Sequence, residues 1–350
     1  MTLEKAAAAG ATRSRKRRKM QQVTMTEVAV LAGVSPSTVS LFLRKPASVS
    51  AAAGQEIARA IDRLGYVPNL VAGGLAAAGS RAVGIVVPSI QNAFFAETVS
   101  TIQEQFAEEG LQILLGHSEY SERQEEALVR TALSWAPAAI VLTGLSHSRA
   151  TRDLLKKSGV PVVEMWELGA AAIDMAVGFS HREAGATALR HLASKGRRRV
   201  AFLGARTQED RRAAARAEGF AAAAQGQATA VVINHPAPAS AEAGALLIAR
   251  ALQQVEGLDG IACSNDMVAL GVVFECQRRA IAIPDRLAVV GFGDLGFAAS
   301  CNPPLTTIRP SGDIIGREVA RLVLERLRGA ARDREKTVDT GHLLVERRSA

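Results

Sequence analysis

Two patterns of hydrophobic residues divide the chain. Between residues 23 and 66 apolar positions recur at helical spacing in short segments, whereas from residue 81 onward apolar runs of strand length alternate with helical stretches. The first pattern predicts a small all-α domain. The second predicts an α/β domain in which helices cover both faces of a parallel sheet. Because the alternation restarts after Phe179, we expect two lobes that face a cleft.

The α/β pattern assigns most of the second region to predicted elements. Strands are predicted at 83–87, 111–115, 139–142, 161–165, 199–203, 230–233, 260–263 and 287–291, and helices at 95–109, 124–135, 150–158, 183–195, 210–224, 241–255, 266–280 and 313–328. After residue 308 we expect the chain to cross to the first lobe and then return. The domain is thus predicted over 81–345, with lobe 1 at about 81–178 and 309–332 and lobe 2 at about 179–308 and 333–345.

Local signals set the helix boundaries of the N-terminal domain. Thr24 and Glu27 form a capping box, which predicts a helix that Gly33 ends by taking a positive φ. Ser35 and Pro36 suit the cap and first turn of a second helix. The second helix is predicted over 36–43 and the third over 51–64, capped by Ser50. The tight first turn makes a helix-turn-helix, whose second helix is suited to the major groove of DNA.

Composition narrows the class of protein. No apolar run approaches the roughly 18 residues needed to cross a bilayer, and residues 1–22 lack the apolar core of a secretory signal. We therefore expect a cytoplasmic protein with no membrane partner. The cysteines Cys263, Cys276 and Cys301 are far apart and the histidines lack metal-ligand spacing, so neither a disulfide framework nor a metal site is predicted.

Positive charge is concentrated near the N-terminus. Residues 1–80 carry 11 Lys or Arg and 4 Asp or Glu, so seven of the eight net positive charges of the chain lie there. Such an excess is what neutralising DNA phosphates requires. We interpret residues 1–22 as a disordered basic tail. Its run Arg13–Lys19 is either a solvated segment or an arm that adds nonspecific DNA affinity.

A long motif covers the N-terminal domain. Val-Thr-x-x-x-Val-Ala-x-x-Ala-Gly-Val-Ser-x-x-Thr-Val-Ser, at residues 23–40, resembles the DNA-binding headpiece of LacI-type transcriptional regulators. The resemblance implies a helix-turn-helix domain over 23–66 and a homodimer that binds a pseudo-palindromic operator in double-stranded DNA. It implies phosphate contacts from Thr24, Ser35, Thr38, Ser40 and Ser50 and base contacts from Pro36, Ser37 and Leu41. Many members have Arg where this chain has Leu41, which offers only apolar contact, for example with a thymine methyl.

The segment 65–75 is similar to the hinge motif of the same family. The resemblance places a hinge at 67–80 with DNA contacts from Asn69, Ala72 and Leu75. Its two adjacent glycines disfavour a helix, so we expect disorder in the absence of DNA. In the family the hinge becomes a helix over the minor groove and a leucine, matched here by Leu75, wedges a base step open. The alternative is a plain linker in which Leu75 packs on its neighbour.

The second region resembles the two-lobed, periplasmic-binding-protein-like effector domain of that family. The matching segments include 216–220, 264–271 and 289–292. Ligands of such sheets bind beyond the carboxyl ends of the strands, a rule that indicates Thr143 and the segments 88–94, 164–166 and 206–216, among others. The candidate effector-binding residues are Pro88, Ser89, Phe94, Glu119, Glu164, Trp166, Arg216, Asn265, Asp266 and Asp294. No cofactor is implied.

Arg216 matches the position that commonly anchors an anionic or polyhydroxyl effector in the family, and its planar fork suits a carboxylate. The alternative is a solvated arginine. We expect Trp166 to stack on a sugar face, and Glu164 either to hold a hydroxyl or to pair with an arginine. Asn265 and Asp266 suit sugar hydroxyls, although Asp266 alternatively caps the following helix. Where many members have two adjacent aspartates, this chain has glycine and then Asp294, so one carboxylate is missing.

Further segments, among them 133–135, 174–179, 202–206 and 274–278, are similar to the gluconate-operon repressor branch. This implies gluconate or a ketogluconate as effector. The resulting hypothesis is a non-enzymatic repressor of sugar-acid catabolism that its effector releases from DNA. The alternatives are a regulator of another sugar, an activator, a two-lobed transport protein, which would need an export signal and no headpiece, and an enzyme, for which no catalytic motif is present.

Overall fold

A computed structural model describes residues 23–66, 81–90, 93–169, 171–330 and 337–350. The predicted basic tail at 1–22 and the predicted hinge at 67–80, with Asn69, Ala72 and Leu75, lie outside these ranges. The chain divides into two compact units, the first ending at Ala77 and the second running from Ala78 to Ala350.

The first unit is a three-helix domain. Its helices are α1 (Met25–Ala32), α2 (Pro36–Arg44) and α3 (Ala51–Leu64). Both halves of the capping box between Thr24 and Glu27 are present, and Gly33 ends α1 at a φ of 65°. Val28, Val39 and Ile57 are fully buried at the centre of the domain. The predicted all-α fold and its helix boundaries are therefore confirmed to within one residue.

Lobe 1 of the second unit is built on a six-stranded sheet. Its strands β1 (Ala82–Val87), β2 (Gln112–His117), β3 (Ala139–Thr143), β4 (Val162–Met165) and β5 (Met175–Gly178) join β11 (Thr337–Asp339) in the order β11-β5-β4-β3-β1-β2, with every pair parallel. Its helices are α4 (Ala93–Glu108), α5 (Glu122–Ser134), α6 (Arg149–Ser158) and α11 (Gly312–Leu327). The fully buried strands β3 and β4 are continuous apolar runs broken only by Thr143 and Glu164, as expected for strands covered on both faces.

Lobe 2 repeats this arrangement. Its strands β6 (Arg199–Ala205), β7 (Thr229–His235), β8 (Gly260–Cys263), β9 (Ala288–Phe292), β10 (Thr306–Pro310) and β12 (His342–Val345) lie in the order β12-β10-β9-β8-β6-β7. All pairs are parallel except β10 with β12. Its helices are α7 (His181–Ser194), α8 (Arg211–Ala223), α9 (Ala241–Gln254) and α10 (Asp266–Arg278).

Two strands of the structure were not predicted, and a third lies in a different lobe from the one expected. Strands β5 and β10 were not predicted, because each is short and lies where the chain changes lobe. Residues 333–345 were expected in lobe 2, but Thr337–Asp339 pairs with β5 in the sheet of lobe 1, and only His342–Val345 joins lobe 2. A three-residue strand is held by its partner rather than by its own apolar pattern, so its sequence gives no signal of its lobe.

Glycines allow very close packing of the helices in lobe 2. A Cβ on Gly185 of α7 would overlap the backbone of Arg216 in α8, and one on Gly219 of α8 would overlap the backbone carbonyl of Arg182 in α7. The pair α9 and α10 repeats the arrangement, because a Cβ on Gly244 would overlap the backbone of Val268 and one on Gly271 would overlap the backbone of Ala241. These reciprocal glycines fix the position of α8, whose first turns face the cleft.

Among the described residues no single helix is long and apolar enough to cross a membrane, although the bent pair α1 and α2, which meet at 103°, has sufficient length and apolar composition together.

Candidate functional site

The predicted DNA-contacting residues lie on one domain and are mostly exposed. Thr24, Ser35, Pro36, Ser37, Leu41 and Ser50 are exposed, and Thr38 and Ser40 are half-buried. Helix α2 begins with the cap Ser35 followed by Pro36, so its N-terminal turn carries a row of small polar side chains. Oγ of Ser35 lies 2.7 Å from Oγ of Ser37 and 2.8 Å from Oγ1 of Thr38. This turn thus presents hydroxyls beside the backbone N–H groups of a helix start, a favourable arrangement for a phosphate.

A polar cavity lies at the carboxyl ends of the strands of lobe 1, facing the start of α8 in lobe 2. The residues that line it are Val86, Pro88, Ser118, Tyr120, Ser121, Glu122, Glu125, Thr143, Gly144, Ser146, Glu167, Glu209, Arg211 and Arg212. Lobe 1 contributes hydroxyls and three carboxylates, and lobe 2 contributes one carboxylate and two arginines. The cavity is where the strand-end rule expects a ligand.

Behind the wall of lobe 1 a buried histidine is held between two carboxylates. Nδ1 of His147 lies 2.7 Å from Oε1 of Glu125, and its Nε2 lies 3.0 Å from the carbonyl oxygen of Gly144 and 3.1 Å from Oε1 of Glu164. Burial alone would lower the pKa of His147, but Glu125 and Glu164 overcome it and raise the pKa to about 9. The ring is therefore a cation at neutral pH, and it holds Glu125 in place at the cavity wall.

The wall of lobe 2 carries Arg212, on the first turn of α8. Its Nη1 lies 3.2 Å from Oε1 of Glu167 in lobe 1, and its Nη2 lies 3.7 Å from Oδ1 of Asp210. Its guanidinium lies 5.8 Å from the ring centroid of Phe95 and 6.0 Å from that of Tyr120. Burial disfavours the charge, yet Asp210 and Glu167 outweigh it and raise the pKa of Arg212. Arg212 is therefore charged at neutral pH, and its ion pair with Glu167 joins the two lobes.

One turn further along α8, Arg216 is bonded within the protein. Its Nη1 donates to Nδ1 of His181 at 2.9 Å, its Nη2 donates to the carbonyl oxygen of Ser264 at 2.8 Å, and its guanidinium lies 3.9 Å from the ring centroid of Phe292. Nε2 of His181 donates to the carbonyl oxygen of Trp166 at 2.8 Å. Burial, together with the charges of Arg216 and Arg212, lowers the pKa of His181 well below its ordinary value, so this ring is neutral. Burial also lowers the pKa of Arg216, to about 10.

Three predicted polar residues of lobe 2 also have partners within the protein. Asn265 caps α10 by accepting from the N–H of Val268, so the alternative role as helix cap belongs to Asn265 and not to Asp266. Asp266 is fully buried and accepts from the hydroxyl of Thr307 at 2.7 Å and from the N–H of Leu295 at 2.8 Å. Burial raises its pKa to about 6 despite these bonds.

Asp294 lies between two arginines. Its Oδ2 accepts from Nε of Arg309 at 2.6 Å, and its Oδ1 lies 2.7 Å from Nη1 of Arg347. Burial opposes its charge, but the two arginines outweigh burial and lower the pKa of Asp294. The carboxylate is therefore neutralised by the chain itself.

Strained backbone clusters around the same cleft. Five non-glycine residues with positive φ lie within three residues after the end of a strand, and they are Glu119, Tyr120, Trp166, Arg206 and Asp294. Such conformations cost roughly 1–3 kcal/mol each and persist only where the surroundings enforce them, typically at binding sites. Their position at the carboxyl edges of both sheets supports a binding role for the cleft.

Of the ten predicted effector residues, Pro88 lines the cavity. The remaining nine are not among its lining residues, and they are Ser89, Phe94, Glu119, Glu164, Trp166, Arg216, Asn265, Asp266 and Asp294. Trp166 is buried against Phe94 and Phe95, which leaves it no exposed face for a sugar. Glu164 is fully buried behind Glu125, where it also accepts from the N–H of Ile173. Its nearest charged partner is His147, a role that was not predicted. Nη1 of Arg152 also lies 4.0 Å from Oε1 of Glu164, which agrees with the predicted pairing with an arginine.

Most residues of the cavity wall were not among the predicted effector-binding residues. Glu122, Glu125, Glu167 and Arg212 gave no separate signal, because each is an ordinary charged residue in a helix or loop. The strand-end rule had already indicated the right loops, which include Thr143 and the segment 206–216. The strand-end rule selects loops and not individual side chains, so it could not tell which of Arg212 and Arg216 lines the cavity. Among the described residues no group of three or more His, Cys, Asp or Glu side chains is placed to hold a metal ion.

Comparison with known proteins places this architecture in a family. A model described as bacterial regulatory proteins, lacI family, matches residues 24–69, and one described as periplasmic binding protein-like domain matches residues 189–350. The HTH-type transcriptional regulator GntR of Pseudomonas aeruginosa is 37% identical over 329 residues, which are 93% of this chain and 95% of that protein.

Two solved structures of transcriptional regulators are also similar to this chain. The chain is similar to a LacI family transcriptional regulator from Silicibacter pomeroyi, with 30% identity, a TM-score of 0.87 and coverage of 93% of this chain and 99% of that one. It is also similar to the transcription regulator GntR from Chromobacterium violaceum, with 37% identity, a TM-score of 0.73 and coverage of 77% and 98%. The headpiece, the two-lobed domain and these matches together show that the chain belongs to the LacI family of DNA-binding transcriptional repressors and is not an enzyme.

Proposed function

We propose that this protein is a homodimeric repressor of sugar-acid catabolism, released from its operator when a gluconate-type acid binds between the lobes. The interlobe cavity carries the proposal, because hydroxyls and carboxylates of lobe 1 face two arginines and one carboxylate of lobe 2. A sugar acid matches both walls, since its carboxylate suits an arginine and its hydroxyls donate to carboxylates. The similarity to regulators named GntR supports the same ligand class.

On the DNA side, the first turn of α2 enters the major groove. Thr24, Ser35, Thr38, Ser40 and Ser50 contact phosphates, and Pro36, Ser37 and Leu41 contact base edges. Asn69, Ala72 and Leu75, outside the described residues, contact the minor groove from the hinge. Two weak headpieces on one dimer gain affinity together when both reach their half-sites.

The effector acts through contacts that join the lobes. Arg212 with Glu167, and the exposed pair of Arg211 with Glu122, both cross the cleft. A ligand that bonds to both walls binds the closed lobes more tightly than the open ones, and only this difference shifts the protein away from its DNA-binding state.

The test uses the full chain and a duplex selected by it from a random pool. We expect a symmetric footprint of two half-sites, and we expect D-gluconate or a ketogluconate to lower the DNA affinity by about 5- to 150-fold, as is typical of coupled sites. Glucitol, which has similar hydroxyls and no carboxylate, serves as the control ligand. If no sugar acid changes the affinity, the assignment of the effector class is wrong.

A further inference from the structure

One of the four carboxylates on the cavity wall differs from the others in its surroundings. Glu122 and Glu167 each form an ion pair with an arginine of lobe 2, and Glu209 is exposed. Glu125 is buried, and among the described residues its only charged partner is His147, which belongs to the same lobe. The charge of Glu125 is therefore not matched by any group of the facing lobe.

The two oxygens of Glu125 have different roles. Its Oε1 lies 2.7 Å from Nδ1 of His147, whereas its Oε2 has no hydrogen-bond partner within the described part of the chain. The side chain is 11% exposed and lines the cavity. A hydroxyl of a ligand in the cavity can therefore donate to Oε2. Such a bond is stronger in this largely buried setting than in water.

His147 holds Glu125 in its position. Nε2 of the ring lies 3.0 Å from the carbonyl oxygen of Gly144, and because a carbonyl oxygen only accepts, Nε2 is the donor. The raised pKa of His147, about 9, means that Nδ1 is also protonated at neutral pH and donates to Glu125. The imidazole is fully buried, so it cannot turn without losing both bonds.

We propose that Glu125 determines the specificity for the effector by accepting from its hydroxyls through Oε2, and that His147 positions Glu125 by holding Oε1. This inference rests on the proposed function and concerns the hydroxyls of the acid, not its carboxylate. An ionised carboxylate only accepts, so Glu125 favours a ligand with a hydroxyl at this point over one that lacks it.

Calorimetric titration of the full chain with D-gluconate tests the role of Glu125. We expect Glu125→Ala to weaken binding by roughly 10- to 100-fold, the typical value of a hydrogen bond to a charged group. Glu125→Gln keeps the shape and removes the charge, so we expect a smaller loss. Glu126→Gln is the matched control and should bind as the wild type does, because Glu126 lies on the same helix, pairs with Arg130 and is not on the cavity wall.

A set of monodeoxy-D-gluconates separates a contact from a merely structural role. We expect one of these acids to bind the wild type about 10-fold more weakly than gluconate does, and to bind Glu125→Ala as well as gluconate does, because a pairwise interaction is lost only once. If Glu125 only supports the fold, Glu125→Ala lowers the affinity for all the acids by the same factor, and the inference is wrong.

The positioning role of His147 is tested by combining variants. We expect His147→Gln to weaken gluconate binding, and we expect no further loss when it is added to Glu125→Ala, since His147 acts through Glu125. Losses that add would overturn this role. Circular dichroism verifies that each variant is folded, and if His147→Gln does not fold, the Glu125 variants still decide the proposal.

The same titrations separate this inference from the proposed function. If the wild type binds gluconate and Glu125→Ala binds it equally well, the inference is wrong and the sugar-acid function stands. If the wild type binds no sugar acid, both are wrong.

Discussion

The two lobes of the α/β domain share one strand order and bring opposite charge to the cleft. At the carboxyl edge of lobe 1 the polar side chains are hydroxyls and carboxylates, with Glu122, Glu125 and Glu167 on the cavity wall. At the same edge of lobe 2 the acidic residues Asp266 and Asp294 have partners within the lobe, and the charged side chains on the cavity wall are those of Glu209, Arg211 and Arg212. The charge at the cleft is thus independent of the fold of the lobe, because the loops after the strands can change in sequence without altering the sheet.

Two buried histidines show the same contrast. His147 in lobe 1 lies between two carboxylates and is charged, whereas His181 in lobe 2 accepts from Arg216 and is neutral. Both rings are buried to a similar extent, so burial alone does not decide their charge. The neighbouring charges decide it, and each lobe therefore presents its own electrostatic environment to a ligand.

The largest expected effect is that of His147→Gln, which removes the cation between Glu125 and Glu164. Because the variant leaves two buried carboxylates without their counter-charge, we expect the free energy of unfolding at pH 7 to fall by about 3–5 kcal/mol. Denaturant titration measures this change. His117→Gln, at a half-buried histidine 3.8 Å from Glu119, is the control and should change stability by less than about 0.5 kcal/mol.

The pH dependence of the wild type sharpens this test. A pKa of about 9 in the folded state exceeds the unfolded value of 6.5, so the stabilisation by His147 is complete below pH 6.5 and is lost as the pH rises through 9. A shift of this size corresponds to a contribution on the order of 3 kcal/mol. A difference between wild type and His147→Gln that stays constant from pH 6 to pH 9.5 would contradict a charged His147.

The next effect concerns the glycine contacts of lobe 2. Gly219→Ala normally gains helix propensity, yet its Cβ would overlap the Arg182 carbonyl, so we expect a net destabilisation of about 2–3 kcal/mol. Gly316→Ala in α11 of lobe 1 is the comparison, because there the added Cβ would lie 2.8 Å from both the Cβ of Thr101 and the carbonyl oxygen of Thr98. We expect Gly316→Ala to lower the free energy of unfolding by less than Gly219→Ala does. Thermal unfolding of both variants shows whether the helices of lobe 2 are the more tightly packed.

His181→Gln tests the basic environment of lobe 2. We expect a loss of about 1–2 kcal/mol at pH 8, because a buried donor of Arg216 loses a well-placed acceptor. The folded-state pKa of His181 is lowered, so its contribution is complete above pH 6.5 and declines as the pH falls below that value. This direction is opposite to that of His147. If the free energies of unfolding of the wild type and of His181→Gln change equally between pH 7 and pH 5, protonation of His181 does not cause the loss of stability in acid.

The smallest effect is expected at the exposed link between the lobes. Arg211 and Glu122 lie 3.5 Å apart with both side chains at least half exposed. Solvent screens such a pair, so Arg211→Gln should change the free energy of unfolding by less than about 0.5 kcal/mol. Urea titration at low and at 0.5 M salt measures it. A loss above 1 kcal/mol would mean that this surface contact holds the lobes together.

Much of the fold was predictable because its signals lie between near neighbours in the chain. The capping box joins residues three apart, Gly33 ends its own helix, and each buried strand carries its apolar run within four to seven residues. The headpiece, the alternation of strands and helices, and the family were therefore predicted correctly. The edge strand at 337–339 was misplaced because its position depends on its partner β5.

The sequence by itself thus determined most of the secondary structure, the two-lobed fold and the loops that meet at the cleft. Only the tertiary structure decided which charges meet there. Glu125 and His147 are 22 residues apart, and Glu167 and Arg212 are 45 apart. The energy of a charge in the interior depends on distances of a few ångströms to groups that the chain brings together on folding, and no local pattern encodes those distances. For that reason two arginines on adjacent turns of one helix, Arg212 and Arg216, look alike in the sequence and differ in the fold.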